Sequence, residues 1–346
     1  MEPYFEQRGV KMYLGDWIDV LRTMPDEYVQ CCVTSPPYWG LRDYGVPGQL
    51  GLERTPDEYV AKVVEGFREV RRVLRKDGTC WINMGDSYCT TPNGPALGSS
   101  NLEGSIAPHA EHRLAHAKRS KGIPPGLKHK DLVGIPWMVA FALRADGWYL
   151  RQDIIWAKPN PMPESVTDRC TKSHEYLFLL SKSAQYHCEM DAIKESCTAG
   201  DRGSSFTDES EVGLHPNTGK GPRKIKVPGG WDRGEGAHGT IHRNGRTSAE
   251  YQEAEVSPYR NKRSVWEIAT SPFPEAHFAT FPPKLVEPCI LAGCPEGGTV
   301  LDPFFGAGTT GLVASKNGRK GIGVELNPEY VEMASRRLAQ EVLQFT

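Results

Sequence analysis

Long apolar runs, paired cysteine motifs and net charge are all scarce in this chain of 346 residues. No stretch approaches the roughly 18 to 20 consecutive apolar residues a membrane helix needs, so no membrane association is expected. The opening residues Met1-Glu2-Pro3-Tyr4 lack the basic start and apolar core of a secretory leader. Nine cysteines are present but no C-x-x-C, and Cys31-Cys32 sit inside an apolar run, so reduced thiols in a cytosol are expected rather than a disulfide framework. Cys170, His174, His187 and Cys188 have no zinc-site spacing, and no metal is expected. A net charge of −2 argues against indiscriminate nucleic-acid binding. What remains is a chain 38% hydrophobic, long enough for one large α/β domain plus an insertion.

Two segments carry chemistry. The first is Ser35-Pro36-Pro37-Tyr38, at the end of the apolar run Val29–Thr34. A strand there delivers a hydroxyl, two prolines and an aromatic ring to one edge of a sheet. Each proline fixes φ and lacks an N–H, which leaves a stiff loop whose carbonyls are free to accept hydrogen bonds. Such a loop suits a planar exocyclic amine: oxygens take its N–H protons while the ring stacks on its base. Taken alone, the same four residues also fit an ordinary turn. The second segment, Val300-Leu301-Asp302-Pro303-Phe304-Phe305-Gly306-Ala307-Gly308-Thr309-Thr310-Gly311, reads as a buried strand, a glycine turn and a helix from near Thr309 to Gly318. Gly306, Gly308 and Gly311 also satisfy the dinucleotide pattern G-x-G-x-x-G, a weak signal for NAD that the preceding Asp302-Pro303-Phe304 speaks against. The strand Gly321–Glu325 ends in an acid placed to accept both hydroxyls of a ribose. Asn327-Pro328 then caps and starts a helix running to about Gln340.

Together these segments resemble the amino-group DNA methyltransferases that use S-adenosylmethionine. Those enzymes carry a [D/N/S]-P-P-[Y/F/W] catalytic loop and a D-P-F-x-G-x-G-T cofactor loop. Here the catalytic loop comes first, which matches the permuted, or beta, arrangement. Three further stretches resemble the family: Trp81–Asp86 after the catalytic loop, Trp148–Lys182 behind the target base, and His277–Pro282 at the methionine end of the cofactor. The fold implied is α/β, a Rossmann-like methyltransferase fold with a mostly parallel sheet flanked by helices and an inserted target-recognition region.

The resemblance implies methyl transfer to an amine of a base flipped out of double-stranded DNA, with S-adenosyl-L-methionine as cofactor. Ser35 and the Pro36 carbonyl would accept the amine hydrogens, Pro37 would stiffen the loop, Tyr38 would stack on the base and Trp39 would widen that platform. Family members with serine at the first position mostly act on cytosine N4 and those with aspartate on adenine N6, so cytosine N4 is favoured and adenine N6 stays open. Cofactor contacts fall on Asp302, Phe305, Gly306, Gly308, Thr309, Thr310, Glu325, Thr280 and Phe281, with Asp16 either at the adenine or simply a helix N-cap. His174 and Glu175 are expected to shape the pocket wall rather than to donate or accept protons. Cytosine C5 chemistry needs a Pro-Cys nucleophile; the one such pair, Pro288-Cys289, lies in an apolar helix-like run and reads as core. A cytoplasmic enzyme of a bacterial or phage-infected cell is implied, with room for a companion restriction endonuclease, as a monomer or homodimer. The rival readings are an RNA or protein-glutamine methyltransferase and a non-catalytic DNA-binding protein.

Charge is local. Arg113, Lys118, Arg119, Lys121, Lys128 and Lys130 crowd residues 109–130, with Glu111 the acid weighed against them; Lys220, Arg223, Lys224, Lys226, Arg233, Arg243 and Arg246 crowd 212–246. Both are rich in Gly, Pro and polar residues, and both fit either solvated loops or segments that close on DNA phosphates. The expected organisation is a catalytic domain at 1–183 and 263–346, a basic insertion at 89–130, and a target-recognition region at 184–262. Asp57–Leu74 is expected as an amphipathic helix on Tyr59, Val63, Val64, Phe67, Val70, Val73 and Leu74, stopped by Asp77-Gly78 before a strand Thr79–Met84. Leu132–Ala145 is expected as a helix before the strand Tyr149–Trp156.

Overall fold

The computed structural model describes residues 1–89, 123–196, 259–271 and 282–340. Its main unit is built on a nine-stranded sheet. In chain order its strands are β1 (Phe5–Gln7), β2 (Val10–Leu14), β3 (Val29–Thr34), β4 (Leu74–Met84), β5 (Tyr149–Ala157), β6 (His174–Ser181), β9 (Val265–Glu267), β10 (Thr299–Asp302) and β11 (Lys320–Glu325). Across the sheet they lie β1-β2-β11-β10-β3-β4-β6-β5-β9. Antiparallel pairing is confined to β1 with β2 and to β6 with its neighbours β4 and β5. The expectation of a mostly parallel sheet holds.

Alternation along the strands explains why both faces are covered. On β3, Cys32 enters a core cluster with Val63, Phe67 and Val139, whereas Cys31 enters a second with Leu285, Ile290 and Val313. Cys80 and Ile82 on β4 join the first cluster, and Trp81 between them joins the second. The first face is closed by α1 (Trp17–Arg22), α2 (Pro56–Val73) and α3 (Ile135–Ala145). The other is closed by α4 (Pro283–Gly293) and α5 (Thr309–Lys316), and α6 (Pro328–Gln340) packs over Val10, Met12 and Leu312 in a third cluster. Cys289 lies at 0% exposure on α4, as expected of a core residue.

α2 starts where Thr55 accepts from the Glu58 N–H at 3.1 Å, with proline in its first turn, and buries Tyr59, Val63, Phe67, Val70 and Val73 on one stripe. It passes straight into β4. Asp77-Gly78 does not separate helix from strand: β4 begins at Leu74, paired with Val29, and Thr79 pairs with Cys31. Five steps along β4 thus oppose two along β3, and Arg75–Gly78, standing against Gln30 alone, bulge out. α3 also starts later than its apolar pattern suggests. Leu132 is half exposed and bridges to Tyr88, and the helix begins after Gly134, whose left-handed φ of 84° breaks the run.

The main unit comprises Met1–Ile193 and Arg263–Thr346. Residues just past β6 stay in it because the His187 N–H donates to the Asp77 carbonyl, the Glu189 N–H donates to the Ala292 carbonyl, and Ile193 is buried in the second cluster. Lys194–Lys262 form a second compact unit. Within it β7 (Glu195–Ser196) pairs antiparallel with β8 (Tyr259–Arg260), and Arg260 Nε donates to Glu195 Oε1 at 2.9 Å.

Candidate active site

Strands β3 and β10 are neighbours, with Val300 opposite Cys31 and Leu301 opposite Cys32, so the loops after them leave the sheet side by side. A buried carboxylate joins the two loops. Asp302 Oδ1 accepts from the Thr34 hydroxyl at 2.6 Å and from the Phe304 N–H at 3.0 Å, and Oδ2 accepts from the Thr310 hydroxyl at 2.7 Å. Burial pushes this carboxyl up to about 6, against the pull of those donors. Asp302 and Thr310 were expected at the cofactor, yet they are 0% and 1% exposed and their polar atoms are engaged. They fix the loop.

Phe305, also expected at the cofactor, is likewise buried. Its ring is buried in the third core cluster, against the backbone of β11 and α5; a Cβ on Gly323 would stand 2.2 Å from its Cγ and one on Gly311 2.6 Å from its Cζ. Phe304 is the half-buried one of the pair and packs on Trp17 with ring centroids 4.6 Å apart. Gly306 and Gly308 hold φ of 50° and 77°, and a Cβ on Gly306 would meet nothing nearer than 4.0 Å. That is open space beside backbone, where a ligand can approach closely. Arg337 on α6 clamps the loop from outside, donating to the Ala307 carbonyl and to Thr309 Oγ1 at 3.0 Å each. No sequence motif pointed to Arg337.

Glu325 ends β11 facing this loop. Its Oε2 accepts from the Gly306 N–H and its Oε1 from the Asn327 N–H, both at 2.8 Å. Burial raises its carboxyl above the usual range, against those two donors. These bonds fix the orientation of the carboxylate at the end of β11. Asp16 caps α1, its Oδ1 accepting from the Ile18 and Asp19 N–H groups at 2.8 and 3.2 Å. The preceding Gly15 N–H donates to the Glu325 carbonyl, so Asp16 follows the end of β2 next to the end of β11. The geometry thus supplies the N-cap reading of Asp16.

Tyr38 is half-buried, and its phenol is turned inward. Its Oη lies 2.8 Å from Glu175 Oε2, 3.0 Å from Asn83 Oδ1 and 3.4 Å from Ser35 Oγ. Ser35 Oγ reaches Asn83 Oδ1 at 3.3 Å, and Asn83 Nδ2 donates to Glu175 Oε2 and the Tyr176 carbonyl at 3.2 Å each. Lys158 pairs with the other Glu175 oxygen and stands 4.2 Å from the Trp156 ring centroid. Burial first, and the Glu175 charge next, push the Tyr38 phenol well above its ordinary range. Burial also lowers His174.

One of the two proline carbonyls expected to be free has a partner. Pro37 accepts from the Tyr59 hydroxyl at 2.9 Å, so its oxygen is engaged in bracing the loop. Trp39 is tied away by its Nε1 to the Glu53 carbonyl at 3.1 Å. Asp86 caps α3, accepting from the Gly134 and Ile135 N–H groups. The partnership of Glu175 with Tyr38 was missed, as were Asn83 and Lys158. The available signals were a polar Asn inside the apolar run Trp81–Met84 and an acid opening an otherwise apolar strand.

Lys128 and Lys130 are engaged in surface ion pairs with Asp131 and Asp168. Thr280 and Phe281 lie outside the described residues, as do Arg113, Lys118, Arg119, Lys121, Lys220, Arg223, Lys224, Lys226, Arg243 and Arg246. Among the described residues no cluster of His, Cys, Asp and Glu could hold a metal ion, and no helix is long and apolar enough to cross a membrane.

Comparison with known proteins places this geometry. The Type II methyltransferase M.Cfr9I of Citrobacter freundii is 42% identical over 336 residues, 97% of this chain and 90% of that protein. M.SmaI of Serratia marcescens is 39% identical over 331 residues, 96% and 91% of the two chains. The solved PvuII DNA methyltransferase (cytosine-N4-specific) shares the fold, with a TM-score of 0.59 at 18% identity over 98% of this chain and 93% of that one. The sequence profile of the N6/N4 methyltransferases, described as DNA methylase, matches residues 29–336. A match over most of the chain, with both loops meeting at one edge of the sheet, identifies this protein as a member of the N6/N4 DNA methylase family.

Proposed function

We propose that the protein transfers a methyl group from S-adenosylmethionine to the N4 amine of a cytosine rotated out of duplex DNA. The observation that carries this reading is the 2.6 Å Thr34–Asp302 bond, which locks the Ser35 loop beside the glycine loop at adjacent strand ends. When bound, S-adenosylmethionine supplies an electrophilic sulfonium methyl. The protein's own residues hold the two reactants: Glu325 takes the ribose hydroxyls, and the loop of Gly306, Gly308 and Thr309, open beside its backbone at Gly306, lies along the cofactor. Asp16, Thr280 and Phe281 complete that set.

On the other side Ser35 Oγ and the Pro36 carbonyl accept the two amine hydrogens. An exocyclic amine is a weak nucleophile because its lone pair is delocalised into the ring. Acceptors placed out of the ring plane favour a more tetrahedral nitrogen, and holding it against the methyl donor supplies most of the rate. The ring of Tyr38 is fixed for stacking by its phenol. Extrusion of the base costs roughly a few kcal/mol, which phosphate contacts from the basic segments offset. Lys194–Lys262 carry most of those basic residues and are proposed as the target-recognition region. The Type II designation of the relatives supports a companion restriction endonuclease.

The choice of amine rests on Ser35, a neutral hydroxyl where adenine-N6 enzymes mostly carry aspartate. The test is methylation of mixed-sequence duplex DNA with labelled cofactor, digestion to nucleosides and mass spectrometry. N4-methylcytosine is expected. N6-methyladenine would overturn the assignment of the base and keep the site, and an unlabelled duplex would overturn DNA as the substrate.

A further inference from the structure

The amine that Ser35 binds must lose a proton, and a serine hydroxyl is a poor final home for it. As the nitrogen attacks, an N–C bond forms, the methyl–sulfur bond breaks with its electron pair returning to sulfur, and positive charge is left on nitrogen. That cation is a strong acid, because losing a proton restores conjugation of the lone pair with the ring. Asn83 Oδ1 lies 3.3 Å from Ser35 Oγ but cannot hold a proton. Tyr38 Oη lies 3.4 Å from Ser35 Oγ and 2.8 Å from the carboxylate of Glu175.

We propose that Glu175 is the terminal proton acceptor of the reaction, reached from Ser35 through the hydroxyl of Tyr38. The inference rests on the amine methyltransferase reading above. The methylated nitrogen gives its proton to Ser35 Oγ, the Ser35 proton passes to Tyr38 Oη, and the Tyr38 proton passes to Glu175 Oε2. One proton leaves the base, one arrives on Glu175, and both hydroxyls end as they began. The loose 3.4 Å step closes when the amine draws Ser35 forward, as catalytic hydrogen bonds often tighten only in the complex.

The network prepares this direction. Tyr38 has one proton and two acceptors in reach; the shorter, charge-assisted bond to Glu175 takes it and leaves Tyr38 Oη able to accept from Ser35 Oγ at 3.4 Å. Asn83 is held the right way round because its Nδ2 donates to both the Tyr176 carbonyl and Glu175. Glu175 is turned toward Tyr38 by Lys158, and the side chains of that pair are each 17% exposed. The other charged groups around the relay are Lys172 and His174 beside Glu175, Arg42 beside Tyr38, and Asp86 facing Lys172. A relay of this kind lets a neutral serine do the work of a carboxylate at the first catalytic position.

The test uses the full-length protein and the variants Tyr38→Phe, Glu175→Gln and the double. Tyr38→Phe keeps the stacking ring, so it is the milder probe should Glu175→Gln strain the fold beside Lys158. Single-turnover methylation of duplex DNA is expected to fall about 100-fold in each variant, with cofactor affinity unchanged. The double variant should fall no further, since both remove one path. Adding imidazole base at constant pH should speed the variants and leave the native protein unchanged. Separately, in protein without cofactor or DNA, the Tyr38 phenol followed by NMR should titrate lower in Glu175→Gln. Native rates in Tyr38→Phe, additive losses, or losses insensitive to imidazole would overturn the relay alone. A native protein that transfers no methyl group to DNA would overturn the functional reading and the relay with it.

Discussion

Asp302 sits fully buried between two hydroxyls, and its carboxyl is lifted to about 6 from an ordinary 3.8. Between those values the folded protein holds more protons than the unfolded chain. Stability contributed here is therefore greatest at low pH and falls as pH rises through that window, by about 3 kcal/mol at most. Asp302→Asn removes the dependence, and the Thr310 hydroxyl can turn to its other acceptor, the Val33 carbonyl at 3.3 Å. In urea unfolding at pH 4 and pH 7, the variant should gain on the native protein by about that amount at the higher pH. An equal difference at both values would mean the carboxyl titrates normally. Glu325 poses the opposite case, a buried acid whose proposed role is to bind a ligand. Glu325→Gln puts an amide N–H₂ where an oxygen now accepts from Gly306 or Asn327. The calorimetric Kd for S-adenosylmethionine should rise about 10- to 100-fold, as expected for losing a charge-assisted pair of bonds. An unchanged Kd would remove Glu325 from the cofactor site.

Elements bring these residues together, and β4 shows how far their placement was readable. The strand, its partner loop and the glycine at its end are all visible in Trp81–Asp86, but the reason for Gly85 is not. A Cβ there would stand 2.6 Å from Tyr38 Cε2, so the end of β4 sets the position of the ring proposed to stack on the base. Gly85→Ala should cut methyl transfer about 100-fold, the cost of displacing a reacting group by about 1 Å, with cofactor affinity preserved. Gly323→Ala should act on stability instead, by about 1 to 3 kcal/mol, because its Cβ would enter the ring of Phe305 far from Tyr38. Thermal melts beside single-turnover rates separate the two. The contrast between Phe304 and Phe305 marks where sequence reading stops. Adjacent aromatics in a loop carry no periodicity, so which one enters the core is decided by the space that Gly311 of α5 and Gly323 of β11 leave for its ring. Strand ends, caps and the two loops were legible because local rules set them: Asn327, for instance, caps α6 by accepting from the Glu329 N–H. The bond from Tyr38 to Glu175 spans 137 positions and belongs to packing alone.

At the scale of the whole molecule the charge is arranged against its own total. A chain of net charge −2 gains nothing from its overall field in approaching DNA, so affinity must come from segments where cations outnumber acids. Arg113, Lys118, Arg119 and Lys121 lie in one such segment; Lys220, Arg223, Lys224, Lys226, Arg243 and Arg246 lie in the other. If both grip phosphate, each contact releases about 0.9 of a counterion, and the dependence of log Kd on log salt counts them. Replacing the first four by alanine should lower that slope by about 3 to 4 and weaken binding to all sequences alike. Replacing the second group should lower it too, and should also reduce the preference for the methylated site over random duplex, since that segment lies in the unit proposed to read the sequence. Fluorescence anisotropy across a salt series, with target and random duplexes, measures both quantities. A slope untouched by either set would mean the basic segments are solvated loops, and the grip on DNA would then have to come from the edge of the sheet around Ser35.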